Sequence, residues 1–294
     1  MIEMQNETFG DRILNFTLPA RNARGRLIRL DETLDTILSA HAYPPVIRDL
    51  LTEALVVTAL IGSLLKEEHS QLTMQAQTQD GVVKLLACDF RDGELRGYVQ
   101  HDEDRLVELG QDPSLEALFG NGYLAVTFDL AASGERYQGV VPLEGHSLAQ
   151  VCESYFERSE QVPTLIRIAI TSGMAAGLLV QHLPDGEEGR ERLHVRMDHP
   201  EWEHVAIMAG SLRADELLDS RLPLEQLVWR VFHEEPEIRV VPGSPVNRGC
   251  RCSIIHFENV LSRFPTEERK EMRDENGIIL VDCAFCSRQF AIQD

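Results

Sequence analysis

Four of the six cysteines of this chain lie in its last fifth, in the stretches RGCRCS (248–253) and VDCAFC (281–286). Cys250 and Cys252 are two residues apart, so in an extended segment both side chains point to one face and can reach one ion. Cys283 and Cys286 have the C-x-x-C spacing at which a tight turn presents two sulfurs to a tetrahedral Zn²⁺. Four thiolates with no open coordination position predict one structural zinc site rather than a hydrolytic one.

The same thiols could also respond to oxidants. Arg248 and Arg251 flank the first pair and favour its reactive thiolate form. A disulfide within a C-x-C pair closes a small, strained ring, and such bonds are labile. A module of about sixty residues with a thin core usually needs a staple, which zinc can supply. From these residues alone, an inert zinc clip and a redox switch are equally good interpretations.

Three other chemistries fit the pattern less well. HFE at 256–258 followed by the C-x-x-C pair is similar to a zinc deaminase site, but Asp282 stands where proline is expected and the C-x-C pair would be unused. A thioredoxin-type C-x-x-C should lie early in a βαβ unit, whereas this one is near the end of the chain. A DNA-reading zinc finger is disfavoured by the net charge of −20.

Composition limits the partners and the location. The chain has 294 residues, 43% of them hydrophobic, which suits one sizeable core and a smaller module. Its 48 acidic and 28 basic residues disfavour nucleic acids and anionic membranes as partners. The first residues show no secretory signal, and the apolar run 50–65 is shorter than the ~20 residues of a membrane-spanning helix. We therefore expect a cytoplasmic protein, and no motif for a bound nucleotide is complete.

Helical and strand patterns are segregated along the chain. Asp31 is a candidate N-cap for a first helix, and a long buried helix is predicted from Val46 to about Lys66. Short strands follow, in QLTMQAQT, VVKLLACDF, ELRGYVQ, YLAVTFDL and RYQGVVPL, separated by glycine-containing turns. A helix at 146–158 and two strands, TLIRIAIT and GLLVQHL, complete a predicted α+β domain, mainly an antiparallel sheet with packed helices, over 1–183.

The composition changes after residue 183. The segment 184–235 is charged but contains apolar side chains, and we interpret it as a helical linker of marginal stability. These apolar residues are Val195, Met197, Trp202, Val205, Ile207 and Met208. The remaining residues, 236–294, are predicted to form a small zinc-binding domain that includes two short helices between the cysteine pairs.

Several stretches of this sequence together resemble a known family. The most specific is the quartet of Cys250, Cys252, Cys283 and Cys286, and GNGYLAVTFDL, GERYQGVVPLEG, YFERSEQVPT and LVWRVFHEE are also similar. Over essentially its whole length the chain resembles the redox-regulated 33 kDa heat-shock chaperones, the heat shock protein 33 family.

The resemblance implies a mechanism. The reduced form would bind one zinc ion and be inactive, and the oxidised form would carry disulfides between Cys250 and Cys252 and between Cys283 and Cys286. Zinc loss would then unfold the switch and destabilise the linker, whose apolar residues become candidates for binding clients. The active form would dimerise and hold unfolding proteins without ATP and without enzymatic turnover. The competing hypothesis is a constitutive zinc-containing protein-binding module without a redox switch.

Overall fold

The computed structural model describes residues 10–183 and 199–293. Its strands are β1 (Arg12–Leu18), β2 (Ala23–Leu30), β3 (Gln71–Gln77), β4 (Val83–Arg91), β5 (Glu94–His101), β6 (Tyr123–Asp129), β7 (Arg136–Pro142), β8 (Thr164–Thr171), β9 (Met174–His182), β10 (Arg239–Val241), β11 (Asn247–Arg248), β12 (Ile278–Asp282) and β13 (Gln289–Gln293). Its helices are α1 (Glu32–Leu38), α2 (Pro45–Gly62), α3 (Glu103–Leu109), α4 (Leu115–Phe119), α5 (Leu148–Tyr155), α6 (Pro200–Gly210), α7 (Ala214–Leu217), α8 (Leu224–Phe232), α9 (Ile254–Leu261) and α10 (Thr266–Glu271).

Two sheets build the larger part of the molecule. Sheet A has the strand order β10-β1-β2-β9-β8, with every neighbouring pair antiparallel. Sheet B has the order β11-β5-β4-β3-β6-β7, and only its edge pair, β11 with β5, is parallel. The fold class is thus α+β, as the sequence predicts, and the strands β3 to β7 coincide with the five predicted short strands.

Helix α2 lies between the two sheets and contacts strands of both. Every residue from Ala54 to Gly62 is buried, which explains why this stretch of sequence is apolar on all sides. Two strand glycines allow the close approach: a Cβ at Gly177 in β9 would lie 2.6 Å from Cγ1 of Val56, and one at Gly97 in β5 would lie 2.9 Å from Cδ2 of Leu55. A larger residue at either glycine would push the helix away from its sheet.

Asp31 caps α1 as predicted, because its side chain accepts a hydrogen bond from the backbone N–H of Glu32. The helix predicted from Val46 to about Lys66 is α2, which begins at Pro45 and ends at Gly62, where Leu64 N–H donates to Ile61 O and tightens the last turn. The helix predicted at 146–158 is α5, which a short π-helical turn at Phe156–Glu160 extends. Strands β1 and β2 were not predicted.

Sheet A is buried on both faces. Its inner face contributes Ile13, Ile28 and Leu179 to the core around α2. Its outer face is covered by α6, α7 and α8, the helices of the predicted linker. We use the name outer face of sheet A for the buried side chains Leu14, Phe16, Leu18, Leu27, Leu178 and Val180, which belong to the same apolar cluster as those helices.

The chain after α8 joins both sheets before it reaches the cysteines. β10 is one edge strand of sheet A, and β11 is one edge strand of sheet B. The antiparallel hairpin β12–β13, with α9 and α10, forms a separate small module around the second cysteine pair. The division into domains at 183 and 235 stays a prediction, to which the structure adds that 239–248 pairs with strands of the first domain.

Candidate metal centre

The four clustered cysteines form one compact group. Their Sγ atoms all lie within 4.8 Å of one another. The Sγ–Sγ distances are 3.3 Å for Cys250 to Cys252, 3.6 Å for Cys250 to Cys283 and 3.6 Å for Cys252 to Cys286. A tetrahedral Zn–S bond of about 2.3 Å places two sulfurs about 3.8 Å apart. The spacing and the all-sulfur donor set therefore fit a single metal ion of this kind.

Backbone contacts on both sides fix the C-x-C pair. Before it, Gly249 N–H donates to Leu95 O at 2.9 Å and continues the pairing of β11 with β5. After it, the Ser253 hydroxyl accepts from His256 N–H at 3.1 Å and caps α9. The short segment between these two anchors carries Cys250 and Cys252 toward the same point.

A tight turn at the end of the β12–β13 hairpin presents the second pair. Cys283 O accepts hydrogen bonds from the backbone N–H groups of Cys286, at 3.2 Å, and Ser287, at 2.8 Å. Ser287 has a φ of 55°, in the left-handed region, so that the chain can reverse immediately after Cys286. The turn brings two sulfurs to one side of the hairpin, as the C-x-x-C spacing predicts.

The module around the sulfurs has a thin core. Its buried side chains are Leu261, Ile279, Cys283, Phe290 and Ile292. Such a core supplies little stability on its own. A structural zinc ion contributes on the order of 10–16 kcal/mol of folding free energy in comparable modules. A metal ion at the four sulfurs would therefore supply stability that this small core lacks.

The cysteine environments favour sharing of protons rather than four free thiolates. Burial, together with the neighbouring sulfurs, raises the pKa of Cys252 and of Cys283 above the ordinary thiol value. Burial also acts to raise the pKa of Cys286, but a backbone hydrogen bond at Arg288 and the adjacent thiols lower it to about 7. Four thiolates at this spacing repel one another, so a cation is required to keep all of them deprotonated.

Other candidate residues stay outside the cluster. His256 and Glu258, from the deaminase comparison, are exposed on α9. Within 10–183 and 199–293, the cysteine quartet is the group of at least three His, Cys, Asp or Glu side chains with metal-binding spacing. Cys88 and Cys152 lie fully buried in the core around α2.

The predicted client-binding residues fall into three groups. Val195 and Met197 lie outside the described residues. On α6, Val205 is fully buried and Ile207 is 65% exposed, whereas Trp202 and Met208 are partly buried against the outer face of sheet A. A role for any of them in client binding stays a prediction.

The outer face of sheet A is a candidate functional surface that the sequence reasoning missed. Helix α8 contributes Leu227, Val228, Val231 and Phe232, and the ring of Phe232 lies 5.5 Å from that of Phe16. The alternating apolar residues of RILNFTL carry a strand signal. The pattern predicts a strand, but it does not indicate that α6, α7 and α8 cover one side of it.

Two polar contacts, one of a buried arginine and one of a buried carboxylate, link the segment that contains these helices to sheet A and to the turn before β2. Arg29, which is 1% exposed, donates to Leu217 O at 2.9 Å and to Leu222 O at 3.0 Å. Glu235, whose side chain is 3% exposed, accepts from Nε of Arg21 at 2.9 Å. Charged groups at such sites are costly to leave unpaired, so these contacts reinforce the apolar packing.

The described part of the chain contains no helix that is both long enough and apolar enough to cross a membrane.

Comparison with known proteins identifies the family. A family model described as Hsp33 protein matches residues 11–293. The 33 kDa chaperonin of Caulobacter vibrioides is 34% identical, over 96% of this chain and 94% of the relative. The 33 kDa chaperonin of Nitrosococcus oceani is also 34% identical, over 95% and 90%, and that of Yersinia pestis is 32% identical, over 95% and 91%.

A solved structure supports the fold. The crystal structure of the 33 kDa chaperonin from Thermotoga maritima superimposes with a TM-score of 0.76, at 23% identity, over 96% of this chain and 95% of the other. The family model and the relatives both match this chain over nearly its whole length. The chain therefore belongs to the Hsp33 family of chaperones.

Proposed function

We propose that this chain is a redox-regulated holdase, which binds unfolding proteins without ATP and does so only after its clustered cysteines are oxidised. The observation that carries this proposal is the meeting of two cysteine pairs in one cluster, with each pair close enough in sequence to close on itself. The reduced form would be inactive and would hold one zinc ion. The family membership of the chain supports the chaperone part of the proposal.

The switching chemistry takes place within each pair. Two thiols give up two electrons and two protons to one peroxide molecule, and one S–S bond and two water molecules are formed. The proposed disulfides join Cys250 to Cys252 and Cys283 to Cys286. Bound zinc would stabilise four thiolates by offsetting half of their negative charge, and it would tie the two pairs together. Disulfides within the two pairs would leave no thiolate as a ligand, so the zinc ion would be released. Because each disulfide lies within one pair, neither would join the two pairs to each other.

The link from the cysteines to client binding runs through the helices on sheet A. Helices α6, α7 and α8 precede β10, β11 and the first cysteine pair in the chain, and they cover an apolar face that contains Phe16 and Leu27. If the small module around the cysteines unfolds, the chain that follows α8 keeps its pairing with β1 through β10 but loses the folded unit beyond it, which weakens the hold on this segment. An exposed apolar face of this size is a site at which unfolded chains bind.

The proposal includes the partners and the location. The clients are unfolding or partly unfolded proteins, and the oxidised form is a homodimer. The protein works in the cytoplasm, without nucleotide, nucleic acid or membrane. The net charge of −20 favours solubility of a protein that exposes apolar surface when active.

One sample can test the central claim. Reduced, zinc-loaded protein is treated with peroxide, and zinc release, free thiols and suppression of citrate synthase aggregation are followed together. We expect release of about one zinc per chain, as one closed four-thiolate site predicts, with the loss of four thiols and the onset of suppression. Cys250→Ser should not respond in this way, whereas Cys152→Ala, outside the cluster, should respond like wild type.

Two outcomes would contradict the proposal. Complete zinc release with unchanged suppression would separate the metal site from chaperone activity. Equal suppression by reduced wild type, oxidised wild type and Cys250→Ser would instead support a constitutive zinc-containing binding module.

A further inference from the structure

The residues that lie between the cysteines of each pair both reach the first domain, and both meet the same ion pair. Arg251, between Cys250 and Cys252, places Nη2 at 3.4 Å from Oδ2 of Asp89. Phe285, between Cys283 and Cys286, lies under the guanidinium of Arg96, whose Cζ is 4.0 Å from the ring centroid. Asp89 and Arg96 are cross-strand partners on β4 and β5.

The ion pair of Asp89 and Arg96, which we call the receptor, is held in place by several hydrogen bonds. Asp89 is 4% exposed and accepts hydrogen bonds from Nε of Arg96, at 2.8 Å, and from the hydroxyl of Thr73, at 2.8 Å. These charge-assisted bonds compensate the cost of burying the carboxylate and fix both side chains. The ring of Tyr98, on the same strand as Arg96, meets Phe285 edge to face at a centroid distance of 4.9 Å.

Further contacts tie the C-x-x-C turn to the loop between α1 and α2. The Ser287 hydroxyl donates to Ala40 O at 2.6 Å, and Nε2 of His41 lies 2.8 Å from Ala284 O. The turn that presents Cys283 and Cys286 therefore contacts the first domain on two sides, at β5 and at this loop.

We propose that the Asp89–Arg96 pair is the docking site through which the first domain senses the state of both cysteine pairs, with Arg251 and Phe285 as positioning residues. This inference rests on the proposed function and names the regulation of its metal site. A disulfide would bring Sγ of Cys250 and Sγ of Cys252 from 3.3 Å to about 2.0 Å, and it would likewise draw together the sulfurs of Cys283 and Cys286, which lie within 4.8 Å of each other. Each closure would change the backbone around the residues between the two cysteines. Closing either pair would thus displace one of the two residues from the receptor. Undocking, rather than thiol chemistry alone, would set the oxidant concentration at which the switch responds.

The direct test compares docking with folding of the module in the reduced, zinc-loaded full chain. Amide hydrogen exchange at Asn247 and Gly249, which bond to Gly93 O and Leu95 O of the first domain, reports docking. Exchange in the β12–β13 hairpin reports folding of the module itself. Phe285→Ala should accelerate exchange at 247–249 about tenfold, the size expected for losing one aromatic pair and one cation–π contact. Exchange in the hairpin should accelerate less, because there Phe285 is only one of several side chains packed against the core of the module.

A second variant excludes a damaged module as the cause. Tyr98→Leu changes only the first domain and removes the ring contact with Phe285. Like Phe285→Ala, it should therefore accelerate amide exchange at 247–249, and both variants should release zinc faster than wild type in peroxide. Phe264→Ala is the matched control, because Phe264 is an aromatic residue of the module that is 40% exposed. Wild-type exchange and release rates in both Phe285→Ala and Tyr98→Leu would overturn the inference.

A double-mutant cycle tests whether one receptor serves both pairs. If Arg251 and Phe285 dock on the same ion pair, Arg251→Gln combined with Phe285→Ala should accelerate exchange by less than the product of the two single effects. If the acceleration of exchange in the double variant equals the product of the two single effects, the two contacts are independent, which would contradict a shared receptor. The proposed function is judged separately, by aggregation suppression of oxidised wild type: failure there leaves the exchange results, and thus the docking site, intact.

Discussion

Cys88 and Cys152 lie in the core around α2, apart from the cluster of the other four cysteines. Both are fully buried, and Sγ of Cys152 lies 3.8 Å from Sδ of Met74. Burial raises the pKa of both thiols far above the ordinary value. The thiolate is the reactive form, so these two side chains act as small apolar residues of the core.

This difference predicts a labelling pattern. In reduced protein treated with a chelator at pH 8, a neutral alkylating reagent should modify Cys250, Cys252, Cys283 and Cys286 and leave Cys88 and Cys152 unmodified. Mass spectrometry of peptides gives the pattern, and the same reaction in concentrated urea should modify all six. Modification of Cys88 or Cys152 in folded protein at the rate of Cys286 would mean that the core opens far more readily than its burial implies.

At the scale of the residue, the sequence was sufficient to predict that the four clustered cysteines lie together, and insufficient to predict what surrounds them. The C-x-C and C-x-x-C spacings are local, and they predict which sulfurs share an ion. Arg29 and Asp89 carry no such local signal for their contacts with Leu217 and Arg251, because these partners lie 188 and 162 residues away along the chain. A charged residue in a strand reads as solvent-facing until the element that covers it is known.

Among the elements, α6 shows how one helix can carry two kinds of apolar side chain. Val205 is fully buried against sheet A, whereas Ile207, two residues later, is 65% exposed. The sequence reasoning placed both in one group of client-binding candidates. It could not separate them, because the direction of a helix face depends on the sheet on which the helix lies.

The pair supplies a matched test of how α6 is held. Val205→Ala should destabilise the packing of α6 by about 2 kcal/mol, through lost burial and a residual cavity, and Ile207→Ala should change it by less than about 0.5 kcal/mol. Amide exchange in 200–210 and binding of a hydrophobic dye to reduced protein measure both effects. Equal dye binding by the two variants would show that α6 does not cover the outer face of sheet A in solution.

The strands illustrate the limit of local patterns. Those of sheet B alternate in polarity and are separated by glycine turns, so β3 to β7 could be predicted one by one. β1 and β2 precede the first predicted helix and were missed, although β2 is the strand that joins β1 to β9. Strand pairing is non-local, and β10, with only three residues, exists because β1 offers a free edge.

For the whole molecule, the sizes of the apolar cores predict that its parts differ in stability. The larger part of the molecule has two large cores, whereas the small module around the cysteines has a thin one. Removal of the metal with a chelator from reduced protein should abolish exchange protection in β12–β13 while protection in α2 persists. The reason is that α2 lies in a large core, whereas the module relies on what its sulfurs bind.

Exchange measured by mass spectrometry, with and without added Zn²⁺, checks this expectation. Added Zn²⁺ should restore protection in the hairpin if the site is intact. Simultaneous loss of protection in α2 and β12–β13 would mean that the module and the first domain unfold as one cooperative unit.

The pairing of β10 with β1 has a consequence for how the molecule would return to its inactive form. The segment between β9 and β10, about 55 residues long, starts and finishes on strands of the same sheet. If α6, α7 and α8 leave the sheet, they remain a tethered loop whose closure entropy grows only with the logarithm of its length. Their local concentration near the sheet stays high, so re-covering the face is an intramolecular step, and a bound client would have to compete with a segment that never diffuses away.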